Sequence, residues 1–597
     1  MSSSALTVWA RLLLGTLARA GLRDVVVSPG SRSTPFTYAA LTTPGLRCHS
    51  IADERSAGFF ALGQARVTGR PTLLLCTSGS AGAHYYPAVV EAAASFTPLL
   101  VLTADRPLEL SECGAPQTMD QVKLFGAFAR AYFELGLADE TPGALDGLER
   151  MAVQAAHATQ APLPGPVHLN ARARKPLEPV VVESASSAAF RDLDERLGRP
   201  VPRVFRQDSG PSDEALSALA DACQAHARGL IVCGPIPPTR AGDTRALQEL
   251  SAATGYPLCV EATSQLRFDE SEGPRIGALE PLFHSRFLKR LAPDLVLQFG
   301  APPTSGAFAR WLSGASVARA VVTPYGHLDP QSRARWLVPH DEFATARALA
   351  RRLADRFPEL SERTRAPFAT EWARADARYF RLVDALASET TTGSLDEAAA
   401  VSTSIAALPR GAWLGLGNSL PVRDVDAFVP PRAQGLRVWS QRGLNGIDGL
   451  VSGALGAATA AQAPSLLLIG DVSFLHDVGG LAAAASVKTP LAIVVLDNGG
   501  GRIFDELPVA KLFAQNTELA RFWSTPPEVE LEHAAALYRV RYARAATISE
   551  LAAALQASLS SPGVTLVHAV VEPNSARLMN AELRERLDAE LAVDLGV

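Results

Sequence analysis

A chain of 597 residues, 47% hydrophobic and 20% charged, exceeds what one core organises and predicts about three globular domains. A net charge of −5 and a pI near 6.2 exclude the broad basic footprint of a nucleic-acid binder, so any anion site is built locally from a few arginines. No apolar run reaches the roughly 18–20 residues that span a bilayer, which predicts no stable membrane anchor.

Residues 1–24 carry an apolar stripe interrupted by Arg11 and Arg19. A signal peptide needs an unbroken apolar centre, so the pattern predicts an amphipathic helix packed on the surface. Short β-branched or Leu-rich runs follow, each ending in Gly, Ser, Pro or Asp: "DVVVSPGSRSTP", "TLLLCTSGSAGAHYYPAVVEA", "PLLVLTADRP" and "GPVHLN". That alternation predicts a parallel sheet wrapped by helices, with ligands beyond the carboxyl ends of its strands. Among these runs, "IADERSAGFFALG" (51–63) places Glu54 and Arg55 where an extended stretch gives way to a helix of small residues. On its own, Glu54 fits an exposed first-turn acid complementing a helix dipole, or a desolvated carboxylate placed to hold a proton.

The composition turns Pro-rich and aperiodic from Lys175 to about Asp213, which predicts a linker over 179–212. A second α/β unit over 213–358 has "GLIVCGPIPP" and "DLVLQFGAPPTS" as its clearest strand ends, and a charged helical connection covers 359–398. The third unit, 399–597, repeats the pattern of the first with "AWLGLGNS", "SLLLIGDVS", "LAIVVLDNGG" and "VTLVHAVVEPN". The fold class is therefore α/β, three doubly wound parallel-sheet domains. The six cysteines show no paired metal spacing and read as free thiols, most of them buried, in a reducing cytosol.

The strongest chemical signal is "GDVSFLHDVGGLAAAASVKTPLAIVVLDNGGGRIF" (470–504). Asp471 and Asn498 stand one helix-plus-strand crossover apart, so a right-handed connection between nearby parallel strands brings both to one sheet edge. A carboxylate, an amide oxygen and a backbone carbonyl are hard ligands that suit Mg²⁺ carrying a diphosphate, and the helix after Asp471 offers N–H groups to the same phosphates. Two ordinary strand-end turns would use the same residue types.

In their order along the chain, "SPGSRSTP", "ADERSAGFFALG", "TSGSAGAHYYPAVVEA", "LTADRP", "GAPQTMDQ", "GPVHLN", "GNSLPVRDVD", "RGLNGIDGL", "GDVSFLHD", "NGGGRIF" and "EHAAALY" resemble the thiamine-diphosphate-dependent enzymes. The resemblance extends over nearly the whole chain to the branch of that family acting in menaquinone biosynthesis. It implies a pyrimidine-binding domain over 1–178, a middle domain over 213–358 and a diphosphate-binding domain over 399–597. It also implies thiamine diphosphate with Mg²⁺ or Mn²⁺ as cofactors, a cytoplasmic location, and a homodimer or homotetramer with sites between subunits.

The implied reaction is decarboxylation of 2-oxoglutarate followed by 1,4-addition of the succinyl carbanion to isochorismate, two dianionic small molecules. Glu54 then matches the carboxylate that binds the aminopyrimidine, with Arg32 and Gln117 as further catalytic positions. Ser419, Ile447, Gly470, Val472 and Ser473 match cofactor contacts, with Ile447 the apolar wedge; Asp471, Asn498 and Gly500 match the metal ligands. Ser31, Arg32, Arg106, Gln117, Ser419, Arg423 and Arg442 match polar substrate contacts, where guanidinium–carboxylate pairs bind dianions without making the protein basic. Ile503 and Phe504 match apolar walls.

Four places depart from the pattern. Val472 stands where many relatives of this cofactor class carry Gly, Asp497 and Gly499 replace asparagines, and Gly306 or Ala307 stands where a basic residue is expected. Arg310 lies three or four positions further along the same predicted helix, on the face of those two residues. Another thiamine-diphosphate-dependent 2-oxoacid carboligase or decarboxylase, or an inactive cofactor-binding homologue, shares the cofactor motif. Arginine-rich pockets and the retention of Glu54, Asp471 and Asn498 weigh against both.

Overall fold

The computed structural model describes residues 3–180, 188–205, 210–271, 273–361, 366–389, 393–513 and 516–595. Among them, three sheets form, all of whose strand pairs are parallel. The first contains β1 (Asp24–Val27), β2 (Arg47–Ser50), β3 (Thr72–Cys76), β4 (Leu99–Asp105), β5 (Ala131–Leu137) and β6 (Pro166–Arg172), in the order β2-β1-β3-β4-β6-β5. The second contains β7 (Gly229–Cys233), β8 (Leu258–Val260), β9 (Leu295–Phe299), β10 (Ala318–Val322) and β11 (Trp336–Val338), in the order β11-β10-β9-β7-β8. The third contains β12 (Trp413–Leu416), β13 (Arg437–Ser440), β14 (Ser465–Gly470), β15 (Pro490–Asp497), β16 (Arg541–Ala545) and β17 (Gly563–Val570). Its order, β13-β12-β14-β15-β17-β16, repeats the first sheet strand for strand.

Central strands such as β3, β4 and β9 are buried at every position. A parallel sheet covered by helices on both faces demands this, and it makes these runs continuously apolar. The edge strands β2 and β16 each include two exposed residues and carry no such run.

By compactness the chain forms two units. One comprises Met1–Gln207, Gln441–Gln462 and His476–Lys488; the other comprises Asp208–Ser440, Ala463–Leu475 and Thr489–Val597. The first unit therefore holds the first sheet together with two segments from the sequence range of the third.

Two expectations change here. The helix Ser3–Arg19 is not a surface helix: from residue 5 onward only Arg11 and Arg19 stay partly exposed. Its outer side is covered by the helix Ala188–Gly198, where Leu197 fills the space left by Gly15; a Cβ on Gly15 would lie 2.5 Å from Leu197 Cδ2. The stretch 179–212 is thus not a plain linker, because this helix docks into the first unit; residues 181–187 and 206–209 of it lie outside the described residues. The described cysteines are free, four buried, with Cys48 half-buried and Cys113 exposed in a loop. No described helix is long and apolar enough to cross a membrane.

Candidate active site

Strands β14 and β15 are neighbours in register, Gly470 opposite Leu496, so Asp471 and Asn498 emerge at the same sheet edge. Asp471 is 2% exposed. Its Oδ2 accepts the Gly500 N–H at 2.6 Å and its Oδ1 accepts the Val472 N–H at 2.7 Å. Gly500 has φ +120°, and a Cβ there would lie 2.2 Å from the Ser524 carbonyl oxygen, so glycine alone fits the turn.

Asn498 is buried and donates Nδ2–H to Glu397 Oε1 at 2.8 Å, while its Oδ1 has no hydrogen-bond partner. A buried acceptor without a donor is costly, and here it belongs to a donor set of oxygens alone. Asp471, Asn498 Oδ1 and a Gly500 carbonyl fit a hard divalent cation. The helix that follows Asp471 is short, Asp471–His476, and gives way at Asp477 to a 3-10 segment, Val478–Ser486.

Burial, with the Asp497 charge adding to it, pushes the Asp471 carboxyl up to about 6. Asp497 moves the other way, because His568 Nε2 bonds its Oδ2 at 2.8 Å; the far ring nitrogen of His568 meets the Tyr542 hydroxyl at 2.8 Å. Of this acid pair Asp471 is thus the weaker acid, and a bound cation would favour its ionised form.

Ser419 opens the helix Leu420–Phe428 with φ +70°, and its carbonyl accepts Arg423 Nη1–H at 2.5 Å. Arg423 is exposed. Next to it Asp424 is 1% exposed, and burial raises its carboxyl far above the ordinary range, helped by the Glu397 charge. Ile503 and Phe504 are half-buried on the 3-10 turn Arg502–Glu506. Gly470, Val472 and Ser473 flank Asp471. Glu397 and Asp424 were not legible from the sequence, because one sits in an Ala-rich helical run and the other reads as a solvated helix acid.

In the same unit, Ser305 caps the helix Gly306–Gly314, and Glu280 Oε2 accepts the Ala307 N–H at 2.9 Å. Arg310 is exposed and turns back along this helix. Its Nη1 lies 3.3 Å from where a Gly306 Cβ would stand, and its Nη2 meets His284 Nε2 at 2.9 Å. Arg310 thus occupies the space that a side chain at 306 would otherwise take.

The first unit gathers the remaining candidates. Arg32 is 5% exposed and donates to the Ala173 carbonyl at 2.6 Å, while the neighbouring Ser31 is exposed. Burial and the nearby Arg106 charge lower the Arg32 pKa, with Asp105 opposing. Arg106 donates Nη2–H to the Pro116 carbonyl at 2.9 Å, and its buried Nε has no partner. Gln117, exposed at φ +55°, donates to the Ser78 carbonyl at 3.2 Å and accepts the Ser78 hydroxyl at its own carbonyl. Gln121, fully buried, ties this loop down by accepting the Gly79 N–H and donating to Asn170 Oδ1. The buried network of Gln121, Asn170, Asp105 and Arg172 was missed as a set, although each lies within or beside a motif stretch.

Glu54 is the first residue of the helix Glu54–Thr68, capped by Asp53, whose side chain accepts the Arg55 N–H and pairs with its guanidinium. Glu54 is half-buried where Arg55 is exposed, and its charge raises the pKa of the buried Cys76 and Tyr85, on each of which burial is the larger cause. The helix packs against Leu450–Ala461 through glycines. Arg442 and Ile447 lie in the loop before that second helix. Glu91 pins this loop: its carboxylate accepts the N–H groups of Gly443, Leu444 and Asn445 at 2.8, 2.6 and 3.0 Å.

Residues 8–124 match the family described as thiamine pyrophosphate enzyme, N-terminal TPP binding domain, and residues 428–569 match its C-terminal TPP binding domain. A Sorangium cellulosum protein named 2-succinyl-5-enolpyruvyl-6-hydroxy-3-cyclohexene-1-carboxylate synthase is 45% identical, over 97% of this chain and 94% of its own. Proteins of that name from Myxococcus xanthus and Geobacillus kaustophilus are 40% and 37% identical, covering 99% and 100% of this chain and 98% and 99% of theirs. Among solved structures, benzoylformate decarboxylase from Polynucleobacter necessarius aligns with a TM-score of 0.68 at 17% identity, over 94% of this chain and 98% of that one. A putative thiamin diphosphate-dependent enzyme from Mycobacterium smegmatis aligns with 0.67 at 19% identity, with the same coverage. These two establish the fold.

Proposed function

The chain belongs to the 2-succinyl-5-enolpyruvyl-6-hydroxy-3-cyclohexene-1-carboxylate synthases, thiamine-diphosphate enzymes, and on that membership we propose that it decarboxylates 2-oxoglutarate and joins the remaining four-carbon unit to isochorismate by 1,4-addition. Thiamine diphosphate, when bound, supplies the electron sink that lets a 2-oxo acid lose CO₂.

The observation that carries this reading is the oxygen donor set at the edge of the third sheet. The buried, unpartnered Asn498 Oδ1 stands with Asp471 and the glycine-only turn at Gly500, and the reading gives them Mg²⁺ or Mn²⁺. Gly470, Val472, Ser473 and Ser419 lie at the same edge and would hold the cofactor, and Ile447 would supply its apolar wedge. Glu54 would hydrogen-bond the aminopyrimidine ring and so promote its proton shift.

The remaining residues place the substrates. Arg32, Arg106 and Gln117, with Ser31, receive carboxylate and carbonyl oxygens in the first unit. Arg442, also in that unit, and Arg423 and Ser419 in the other receive the rest, with Ile503 and Phe504 excluding water. Arg32 and Gln117 also hold the reacting groups in line. Arg310 supplies the cation missing from Gly306 and Ala307; its guanidinium already lies over Gly306. A second copy of the chain completes each site, as a homodimer or homotetramer.

Incubation with thiamine diphosphate, Mg²⁺, 2-oxoglutarate and isochorismate tests the proposal. The expected result is CO₂ together with an isochorismate-dependent coupled product. CO₂ release without that coupling would sink it.

A further inference from the structure

We infer that Glu397 is a positioning residue that turns the Asn498 amide so that its oxygen, not its nitrogen, faces the cation. The inference rests on the reading of Asn498 as a metal ligand and extends it to a residue outside the motif.

An asparagine amide has an oxygen and a nitrogen of nearly equal size, so shape alone does not choose between its two orientations. The choice matters here. With Nδ2 toward the site, two N–H dipoles would oppose a divalent cation; with Oδ1, a ligand is in place. Before the cation arrives, the carboxylate of Asp471 favours the wrong orientation, since it attracts N–H groups and already holds that of Gly500.

Glu397 counters this pull. It lies in the first turn of the helix Glu397–Ala406 and is 1% exposed, and its Oε1 accepts Asn498 Nδ2–H at 2.8 Å. Its backbone is anchored in turn, its N–H donating to the Ser575 hydroxyl at 3.1 Å. With Nδ2 committed to Glu397, Oδ1 is left pointing away and unpartnered. A partner that fixes a ligand's orientation typically changes metal affinity by about 10–100-fold when removed.

The test measures Mn²⁺ binding to the full chain at saturating thiamine diphosphate, from the loss of the free-Mn²⁺ electron paramagnetic resonance signal. Glu397→Gln keeps a carbonyl that can accept Nδ2–H and should stay within about threefold of the unaltered chain. Glu397→Met removes the acceptor and should weaken binding at least about tenfold. Equal losses in both would mean that only the charge of Glu397 matters and would overturn the inference. So would an unchanged affinity in Glu397→Met.

A second pair of variants covers the case in which Glu397→Met does not fold. In Asn498→Asp there is no amide to orient and two carboxylates face each other, so adding Glu397→Gln should tighten Mn²⁺ binding. Weakening there would again overturn the inference. Asp471→Asn separates the two levels. If it loses Mn²⁺ while Glu397→Met does not, the positioning role fails and the cation site stands. If it binds Mn²⁺ as before, the cation site falls and the inference with it.

Discussion

Gly63 and Gly453 meet backbone to backbone. A Cβ on Gly63 would lie 2.0 Å from the Gly453 carbonyl oxygen, and one on Gly456 would lie 1.9 Å from that of Phe60. The helices Glu54–Thr68 and Leu450–Ala461 approach so closely only because these positions have no side chain. Alanine in a helix interior normally stabilises relative to glycine by roughly 0.5–1 kcal/mol. Gly63→Ala should instead destabilise, by ~1–3 kcal/mol in urea unfolding, because the new Cβ meets backbone atoms of the facing helix and no flexible side chain can move aside. An unchanged or raised midpoint would show that the two helices are not held this close.

Glu54→Gln should keep thiamine diphosphate binding and lose turnover by about 10²–10⁴-fold. The comparison to make is cofactor affinity by fluorescence titration against single-turnover rate. Turnover within tenfold of the unaltered chain would remove Glu54 from the reaction.

Arg310→Gln should raise the KM for isochorismate about 10–100-fold, the cost of one charge-assisted hydrogen bond, and leave CO₂ release from 2-oxoglutarate unchanged. Because the guanidinium lies 3.3 Å from the vacant Cβ position of Gly306, Gly306→Lys added to Arg310→Ala should recover much of the loss. No change in KM would leave Arg310 with only its contacts to His284 and, at 4.0 Å, Glu280.

Asp376, on the helix Ala366–Glu389, accepts the N–H groups of Gly277 and Ala278 on one oxygen, and burial pushes its carboxyl up to about 6. The folded chain thus binds this proton more tightly than the unfolded one. Its contribution to stability is present near pH 4 and is lost as pH rises to about 6, by at most ~3 kcal/mol. Asp376→Asn keeps the accepting oxygen and should flatten that part of the stability curve, measured by urea unfolding at intervals from pH 4 to pH 8. An identical slope in the variant would assign the dependence elsewhere.

What the sequence disclosed follows the physics of burial. Strands covered on both faces, such as "TLLLC" and "LAIVVLD", announce themselves as apolar runs, and the repeated order of the first and third sheets follows from the same pattern. β2 and β16 are edges with exposed residues, and β8 and β11 are only three residues long, so neither kind writes a continuous run. Asp471 and Asn498 were legible because strand ends and crossover length fix where they emerge. Glu397, Asp424 and Glu91 were not. Their roles depend on which distant segment packs beside them, and a single acid in a helical stretch looks the same whether it faces water or a buried amide. The helix Ser3–Arg19 failed for a related reason: its cover comes from Ala188–Gly198, inside a stretch whose composition reads as a linker.

The first compact unit draws residues 441–462 and 476–488 into a body that otherwise ends at Gln207. During synthesis at roughly 5–20 residues per second, the glycine face of Glu54–Thr68 leaves the ribosome some tens of seconds before Leu450–Ala461 exists to cover it. For that interval it is an unprotected surface on a nascent chain, and a chaperone has time to reach it. A chain cut between the second and third sheets would keep it uncovered permanently, so the three sheets cannot be cloned as three independent pieces.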